Sequence, residues 1–400
     1  MNSPQLSIKI YDENGDLLGY LIIDSTINNS SCGGVRMHSN VSEEEIRGLA
    51  NAMTLKFGFL GLPKGGAKAG IIADSTLPME QNIKRLSSFG RSLAPLIKNR
   101  IYIPGQDLGT TESAVRTIWQ GAGLEYEASG HEISGIHTSY TVSACAAAAI
   151  KFQGLDIAAC KIAIEGFGSV GSHTARNLSE RGAKIVGIST IEGAVYNNNG
   201  FDIEALITGR ENFGDSFVKF ITNGQKISHE ELLQLDLDVL IPCARAWTIH
   251  SDNVDKIKAR IVCPGANIPV TASAEKILFD NSVLYIPDFV ANSGGVLGSP
   301  MRYLGLSEAK MKKYIDEIFE VKVGTLLRQA RENNMTLAEF ARLSASKKFE
   351  ITKKMHERKG KVKIRSIVSG LLRKMPFTKI MASFYAGKYI ENMILSDFSN

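Results

Sequence analysis

The chain has 400 residues, 44% apolar and 22% charged, with a net charge of +5. That length and balance suit a globular protein of about two domains. They exclude a membrane-spanning chain, since no uninterrupted apolar run approaches the ~20 residues a span needs.

The N-terminus, MNSPQLSIKIYDENG, has no basic segment leading into an apolar one, so no signal peptide is expected. Five cysteines (Cys32, Cys145, Cys160, Cys243, Cys263) are scattered without metal-type spacing. They read as reduced thiols of a cytoplasmic protein, and no metal site is expected. The charge is unevenly placed. Between Lys347 and Lys379 twelve Lys/Arg face only Glu350 and Glu357, so the rest of the chain is mildly acidic. The high pI therefore describes a basic tail and says nothing about the ligand of the body.

In chain order, SIKIYD and LLGYLIID form a hairpin over 7–23, joined by the turn ENGD. Residues 42–60 form a helix. Ser42-Glu43-Glu44-Glu45 supplies an acidic first turn, and Ile46, Leu49, Met53 and Leu55 follow at helical spacing. Next come the glycine-rich loop GLPKGGAKAG and a short strand, AGIIA. A helical stretch spans 79–98, and IYIPGQDLGTT runs from strand into loop. A short helix covers 112–121, and an Ala-rich helix, buried between domains, covers 138–153. Beyond it KIAIEGFG, AKIVGIST, DVLIPC, ARIVCPGA and VLYIPDF read as strands alternating with helices. This rhythm predicts a parallel, doubly wound sheet. Residues 307–345 read as helices packing back on the first domain.

Gly166-Phe167-Gly168-Ser169-Val170-Gly171 follows the strand Lys161–Glu165 and opens a helix. The first glycine permits the tight turn, the second admits a pyrophosphate, and the third lets helix and strand pack closely. The helix N-terminus favours the phosphate charge. The predicted ligand is therefore NAD or NADP. An acidic residue for the ribose hydroxyls is expected at the end of the next strand. Thr190 stands there and Glu192 two residues on, which leaves the choice of coenzyme open.

Lys56, Lys64 and Lys68 lie on and around GLPKGGAKAG. Glycines at 65 and 66 let the backbone pass close to a ligand. One ammonium can bind a carboxylate. A second, crowded and partly desolvated, acquires a lowered pKa and can act as acid and base. Asp107, in GQDLGTT, is a candidate proton-transfer partner. The bland alternative is a set of solvated surface lysines and a turn aspartate.

Taken in order, GGVRM (33–37), MTLK (53–56), LPKGGAKAGI (62–71), GQDLGTT (105–111), EGFGSVG (165–171), PGANIPVT (264–271) and PDFVANSGGVLGS (287–299) resemble the glutamate/leucine/phenylalanine/valine dehydrogenase family over residues 7–345. The short segment before GGVRM is more similar to the leucine branch. The resemblance implies an N-terminal α/β catalytic domain (1–135), a Rossmann domain (136–300) with a cleft between them, helices packing back (301–346) and a basic extension (347–400). It implies NAD(P)-dependent oxidative deamination of an L-amino acid to a 2-oxo acid and ammonia by a homo-oligomer. Lys68 would activate the attacking water, Asp107 would relay protons, and Lys56 would bind the α-carboxylate. Gly33, Gly34, Met53, Val296 and Ser299 would line the substrate site. Thr138, or His137 in another register, and Asn267 and Asn292 would meet the nicotinamide end. Gly166, Gly168, Ser169, Val170, Gly171 and Thr190 would hold the rest of the coenzyme.

The departures bear on substrate. Where the glutamate enzymes carry a lysine before GG, this chain has Cys32. Losing that charge argues for a neutral or apolar side chain. Ser299 and PGANIPVT are more glutamate-like. Ala67 stands for the third glycine of the usual GGGK. His38 reads as a surface or hydrogen-bonded residue, and Arg245 as either a coenzyme contact or a surface residue.

The basic tail reads as a helix packing on the body or on a neighbouring subunit, with no nucleic acid expected. Two competing readings are a catalytically silent dinucleotide-binding module of the same fold and another Rossmann oxidoreductase. Neither needs two lysines around a GG loop together with an aspartate loop.

Overall fold

The computed structural model describes residues 3–74, 77–126, 134–303 and 306–359. They cluster into two α/β units, one within residues 1–132 and 344 onward, the other within 133–343.

The first unit contains β1 (Leu6–Tyr11), β2 (Leu17–Ile23), β3 (Ser31–His38), α1 (Glu43–Leu60), β4 (Gly65–Ile72), α2 (Met79–Ser92), α3 (Ala94–Lys98), β5 (Tyr102–Gln106) and α4 (Glu112–Gly121). Its sheet runs β1-β2-β4-β3-β5. The β1–β2–β4 pairings are antiparallel, and β3 lies parallel to both β4 and β5. Two details differ from the sequence reading. The lysine loop is shorter than expected, because β4 already begins at Gly65. Lys68 is therefore in mid-strand, not at its start. The expected helix over 79–98 breaks at Leu93 into α2 and α3.

Alternation along β4 decides where Lys68 points. Ala67, Ala69 and Ile71 join a core with Val35 and Met37 of β3 and with Leu86, Phe89, Ile118 and Trp119 of α2 and α4. Gly66 and Gly70 face α1 instead. A Cβ on Gly66 would come 2.2 Å from the Thr54 nitrogen, so α1 lies directly on the strand. Lys68 shares that parity. On β3, Arg36 sits between Val35 and Met37 and takes the same α1-facing side. Each fully buried Leu, Ile or Phe in the core contributes about 1.5–3 kcal/mol, which holds the strand register and with it these charged positions.

The first turn of α1 behaves as its sequence suggests. The Ser42 hydroxyl accepts the Glu45 N–H at 3.2 Å, and Gly61 closes the helix in the left-handed region at φ 69°.

The second unit contains α5 (Ser134–Phe152), β6 (Lys161–Glu165), α6 (Ser169–Glu180), β7 (Lys184–Thr190), β8 (Gly193–Tyr196), α7 (Ile203–Phe213), α8 (Phe217–Phe220), β9 (Gln225–Ile227), α9 (His229–Leu233), β10 (Val239–Pro242), β11 (Ile261–Val262), α10 (Ala272–Asp280), β12 (Leu284–Tyr285), α11 (Asp288–Ala291), α12 (Gly294–Tyr303), α13 (Glu308–Glu332) and the start of α14 (Leu337–Lys359). The sheet order is β12-β11-β10-β6-β7-β8-β9. It is parallel from β12 to β7, but β8 and β9 add antiparallel. The parallel, doubly wound sheet expected from the sequence is present from β12 to β7, and the two short edge strands are an addition the sequence reading did not include. The order reverses at β6, whose neighbours β10 and β7 open a crevice at its carboxyl end. The Ala-rich α5 is buried against α6, α12 and α13.

No helix among the described residues is long and apolar enough to cross a membrane. The basic tail from residue 360 onward lies outside the described residues.

Candidate active site

In the first unit the structure brings Lys68 and Asp107 together. Lys68 Nζ lies 3.1 Å from Asp107 Oδ1, with both side chains nearly enclosed. Asp107 follows β5 in a short turn. Its N–H donates to the Thr110 hydroxyl at 2.9 Å, and that hydroxyl donates to the Val35 carbonyl at 2.8 Å. Burial pushes the Asp107 carboxyl up, but the Arg36 and Lys68 charges outweigh it and hold the carboxyl well below the usual carboxylate range. Burial lowers the Lys68 pKa, and Arg36 adds to that effect, while Asp107 partly restores it. A buried lysine with a lowered pKa beside an ionised carboxylate is suited to moving protons near neutrality.

Lys56 is buried at 6% exposure, and Met53, one turn earlier on α1, at 8%. Gly34 has a role the sequence did not suggest. A Cβ there would stand 2.8 Å from the Asp107 Cβ and 2.4 Å from the Gln106 carbonyl oxygen. Its bareness makes room for the aspartate turn. The neighbouring Gly33 carbonyl accepts the buried Tyr102 hydroxyl at 3.1 Å. Cys32 lies across from Gly66. Burial raises its thiol pKa, against which the Lys64 and Lys68 charges pull.

Sequence reasoning missed Arg36 and Glu45. Arg36 Nε donates to Asp107 Oδ2 at 2.9 Å, and its Nη1 donates to Glu45 Oε1 at 2.7 Å. Glu45 was read as part of an acidic first turn and Arg36 only as a letter of GGVRM. The available signal was an arginine alternating with apolar residues in a short β-like run. His38 Nε2 lies 3.1 Å from Glu45 Oε2, in keeping with a hydrogen-bonded role.

In the second unit the glycine motif forms a strand–turn–helix. Gly166 has φ 92°, in the left-handed region, and its N–H donates to the Ser189 hydroxyl at 3.1 Å. A Cβ on Gly171 would strike the Gly166 carbonyl oxygen at 2.0 Å. Gly168 begins α6 without a side-chain cap, and a Cβ on it would meet nothing within 4 Å. The amides of Ser169 and Val170 thus open a helix whose first turn is uncapped, above free space, which fits a pyrophosphate.

Thr190 ends β7, where its hydroxyl donates to the Asp215 carbonyl at 2.8 Å. Glu192 pairs with Lys219. Arg245 is exposed, and its charge acts on the buried Glu165. Asn292 Nδ2 donates to the Ala266 carbonyl at 2.9 Å and to Asn267 Oδ1 at 3.1 Å. Its Oδ1 is buried without a hydrogen-bond partner. A buried amide oxygen left open costs free energy unless a ligand donates to it, which suits a carboxamide or amine nearby. Thr138 faces Gly295, 2.8 Å from where a Cβ would lie. His137 is committed elsewhere, with Nε2 2.9 Å from Glu308 Oε2 and its ring against Gly298. Val296 is half-buried on α12, and the Ser299 side chain lies outside the described residues.

Two family profiles match the chain. The glutamate/leucine/phenylalanine/valine dehydrogenase profile matches residues 130–359, and the dimerisation-domain profile of the same family matches residues 2–122. The chain belongs to the glutamate/leucine/phenylalanine/valine dehydrogenase family. It is an NAD(P)-dependent amino-acid dehydrogenase. The chain is 34% identical over 336 residues to an NAD-specific glutamate dehydrogenase of Staphylococcus aureus, covering 77% of this chain and 79% of that one. It is 33% identical over 296 residues to the glutamate dehydrogenase of Thermotoga maritima, covering 70% of each. Among solved structures, the hetero-hexameric glutamate dehydrogenase of Thermus thermophilus shares the fold, with TM-score 0.73 at 22% identity, over 90% of this chain and 91% of that one.

Proposed function

We propose that this dehydrogenase carries out the reversible oxidative deamination of an L-amino acid with a neutral or apolar side chain, giving a 2-oxo acid and ammonia. The observation that carries this reading is the buried contact of Lys68 Nζ with Asp107 Oδ1 at 3.1 Å. NAD or NADP, when bound, supplies the acceptor for the hydride that leaves Cα.

The remaining steps belong to the chain's own groups. Lys56 neutralises the α-carboxylate. Lys68, in its neutral form, takes a proton from the water that adds to the imine carbon. Asp107 passes protons between Lys68 and the departing nitrogen, and the C–N bond breaks as ammonia leaves. Asn292 Oδ1 and Thr138 would hold the carboxamide end of the coenzyme, and the first turn of α6 would hold its phosphates. A homo-oligomer is part of the proposal.

The substrate side chain is argued from Cys32, an uncharged thiol at the position where the glutamate enzymes carry a lysine. A glutamate-specific reading has one observation in its favour within the site. The Lys64 charge acts on the Cys32 thiol, so a cation stands near the position that lost one. The names of the relatives agree with it.

Purified protein is assayed by the absorbance of reduced coenzyme, with NAD and NADP separately, against a panel of L-amino acids and then 2-oxo acids with ammonia. Turnover with apolar or neutral amino acids supports the proposal. Turnover confined to glutamate replaces it with the second reading. Coenzyme binding without turnover in either direction overturns both.

A further inference from the structure

We propose that Arg36, anchored by Glu45, is a positioning residue that clamps Asp107 against Lys68 and sets the charge around the lysine. This deepens the preceding reading and rests on Lys68 and Asp107 handling the protons of the reaction.

Arg36 is 4% exposed, and its guanidinium is engaged on two sides. Nε donates to Asp107 Oδ2 at 2.9 Å while Lys68 Nζ meets Oδ1 of the same carboxylate at 3.1 Å. A carboxylate held by one cation can swing about its χ2 axis. Held on separate oxygens by two cations, its plane is determined. Arg36 in turn cannot swing away, because Nη1 donates to Glu45 Oε1 at 2.7 Å. Glu45 is itself buried, at 5% exposure, and its Oε2 meets His38 at 3.1 Å. The result is a row of alternating charge running from Lys68 through Asp107 and Arg36 to Glu45, whose other oxygen meets the His38 ring. Guanidinium suits the second cation, because it stays charged at any working pH and its planar fork reaches two carboxylates at once.

The charged and titratable groups around Lys68 come from two elements and one turn. Arg36 and Cys32 lie on β3, Glu45 on α1 and Asp107 in the turn after β5, while Cys32 and Asp107 act on Tyr102 of β5. Lys64 acts on Cys32, and His38 Nε2 lies 3.1 Å from Glu45 Oε2. Arg36 disfavours the protonated form of Lys68, whereas Asp107 and Glu45 favour it. Arg36 and Glu45 therefore push the lysine in opposite directions, a feature that packing alone does not produce.

The test is the pH profile of kcat/KM for the full-length protein, with folding checked by circular dichroism and thermal melting. Lys68 must be neutral to take a proton from water, so its pKa sets the acid limb. Arg36→Met removes a like charge and moves the acid limb upward by on the order of one pH unit. Glu45→Gln removes an opposite charge and moves it downward. Arg36→Lys keeps the charge but loses the fork, so its limb stays near the parent while kcat falls roughly tenfold with little change in KM. Should Arg36→Met fold poorly, Arg36→Met/Glu45→Gln removes both charges and brings the limb back near the parent, while Glu45→Gln alone still tests the sign.

An acid limb that stays put in folded Arg36→Met or Glu45→Gln, or moves the same way in both, overturns the proposal. Lys68→Ala and Asp107→Asn serve as the reference. If they retain turnover, the reading of the proton-handling pair fails. If they abolish it and the limb does not respond to Arg36 or Glu45, only the positioning role fails.

Discussion

Lys68 of β4 and Asp107 of the turn after β5 meet at 3.1 Å although β3 runs between their strands. The contact exists because alternation turns Lys68 toward α1 and because Gly34, on the intervening strand, leaves space for the aspartate. Lys68→Ala is expected to lower kcat on the order of 10²–10⁴-fold, and Asp107→Asn similarly, with coenzyme affinity unchanged. Steady-state turnover together with fluorescence titration of reduced coenzyme checks this. A variant that loses coenzyme binding along with turnover would point to misfolding.

The same aspartate links stability to pH. Its folded pKa lies below the unfolded value, so its stabilisation is complete above the ordinary carboxylate range and is lost as pH falls toward the folded pKa. Asp107→Asn is expected to cost about 3 kcal/mol at neutral pH, because two buried cations lose their partner. The gap from the parent narrows in acid. Urea unfolding at neutral pH and in acid measures both, and a gap that widens in acid would contradict the assignment.

Gly168 separates coenzyme binding from folding. Its φ is −80° and a Cβ would meet no protein atom within 4 Å, so Gly168→Ala leaves the melting temperature unchanged. The added methyl group occupies the space read here as the pyrophosphate site. Affinity for reduced coenzyme should fall at least tenfold, about 1.4 kcal/mol. Gly166→Ala behaves differently. At φ 92°, with Ala244 atoms 2.8–2.9 Å from a Cβ, it destabilises the fold itself by about 1–3 kcal/mol. If Gly168→Ala binds coenzyme like the parent, the phosphates lie elsewhere.

Cys32 and Lys64 separate the two substrate readings. On the neutral-substrate reading, Cys32→Lys lowers kcat/KM for apolar amino acids by at least tenfold and introduces turnover of glutamate. On the glutamate reading, the parent already turns over glutamate, and Lys64→Ala removes that activity while leaving melting unchanged. Comparing kcat/KM over the amino-acid panel for the three proteins decides between them.

The features legible in the sequence are those encoded within a few residues. Ser42 followed by three glutamates specifies the start of α1, because caps and the helix dipole act over one turn. The strand Lys161–Glu165 running into Gly166, Gly168 and Gly171 specifies the dinucleotide turn, because each glycine answers a local steric demand. Lys68 and Asp107 were legible as candidates, from residue type and ordered motifs, and the structure brings them together.

Tertiary structure decided the rest. The antiparallel edge strands β8 and β9 are four and three residues long, too short for a periodic signal. The strand at β3 was hidden inside a motif read for its glycines. The clamp of Arg36 on Asp107 and Glu45 joins β3, α1 and the turn after β5, and a one-residue slip of β3 would turn Arg36 toward the apolar core. Residue type alone shows that a charge is present. Only the register of the sheet and the seating of α1 on Gly66 determine which carboxylate that charge meets, because those contacts arise between segments distant in the chain.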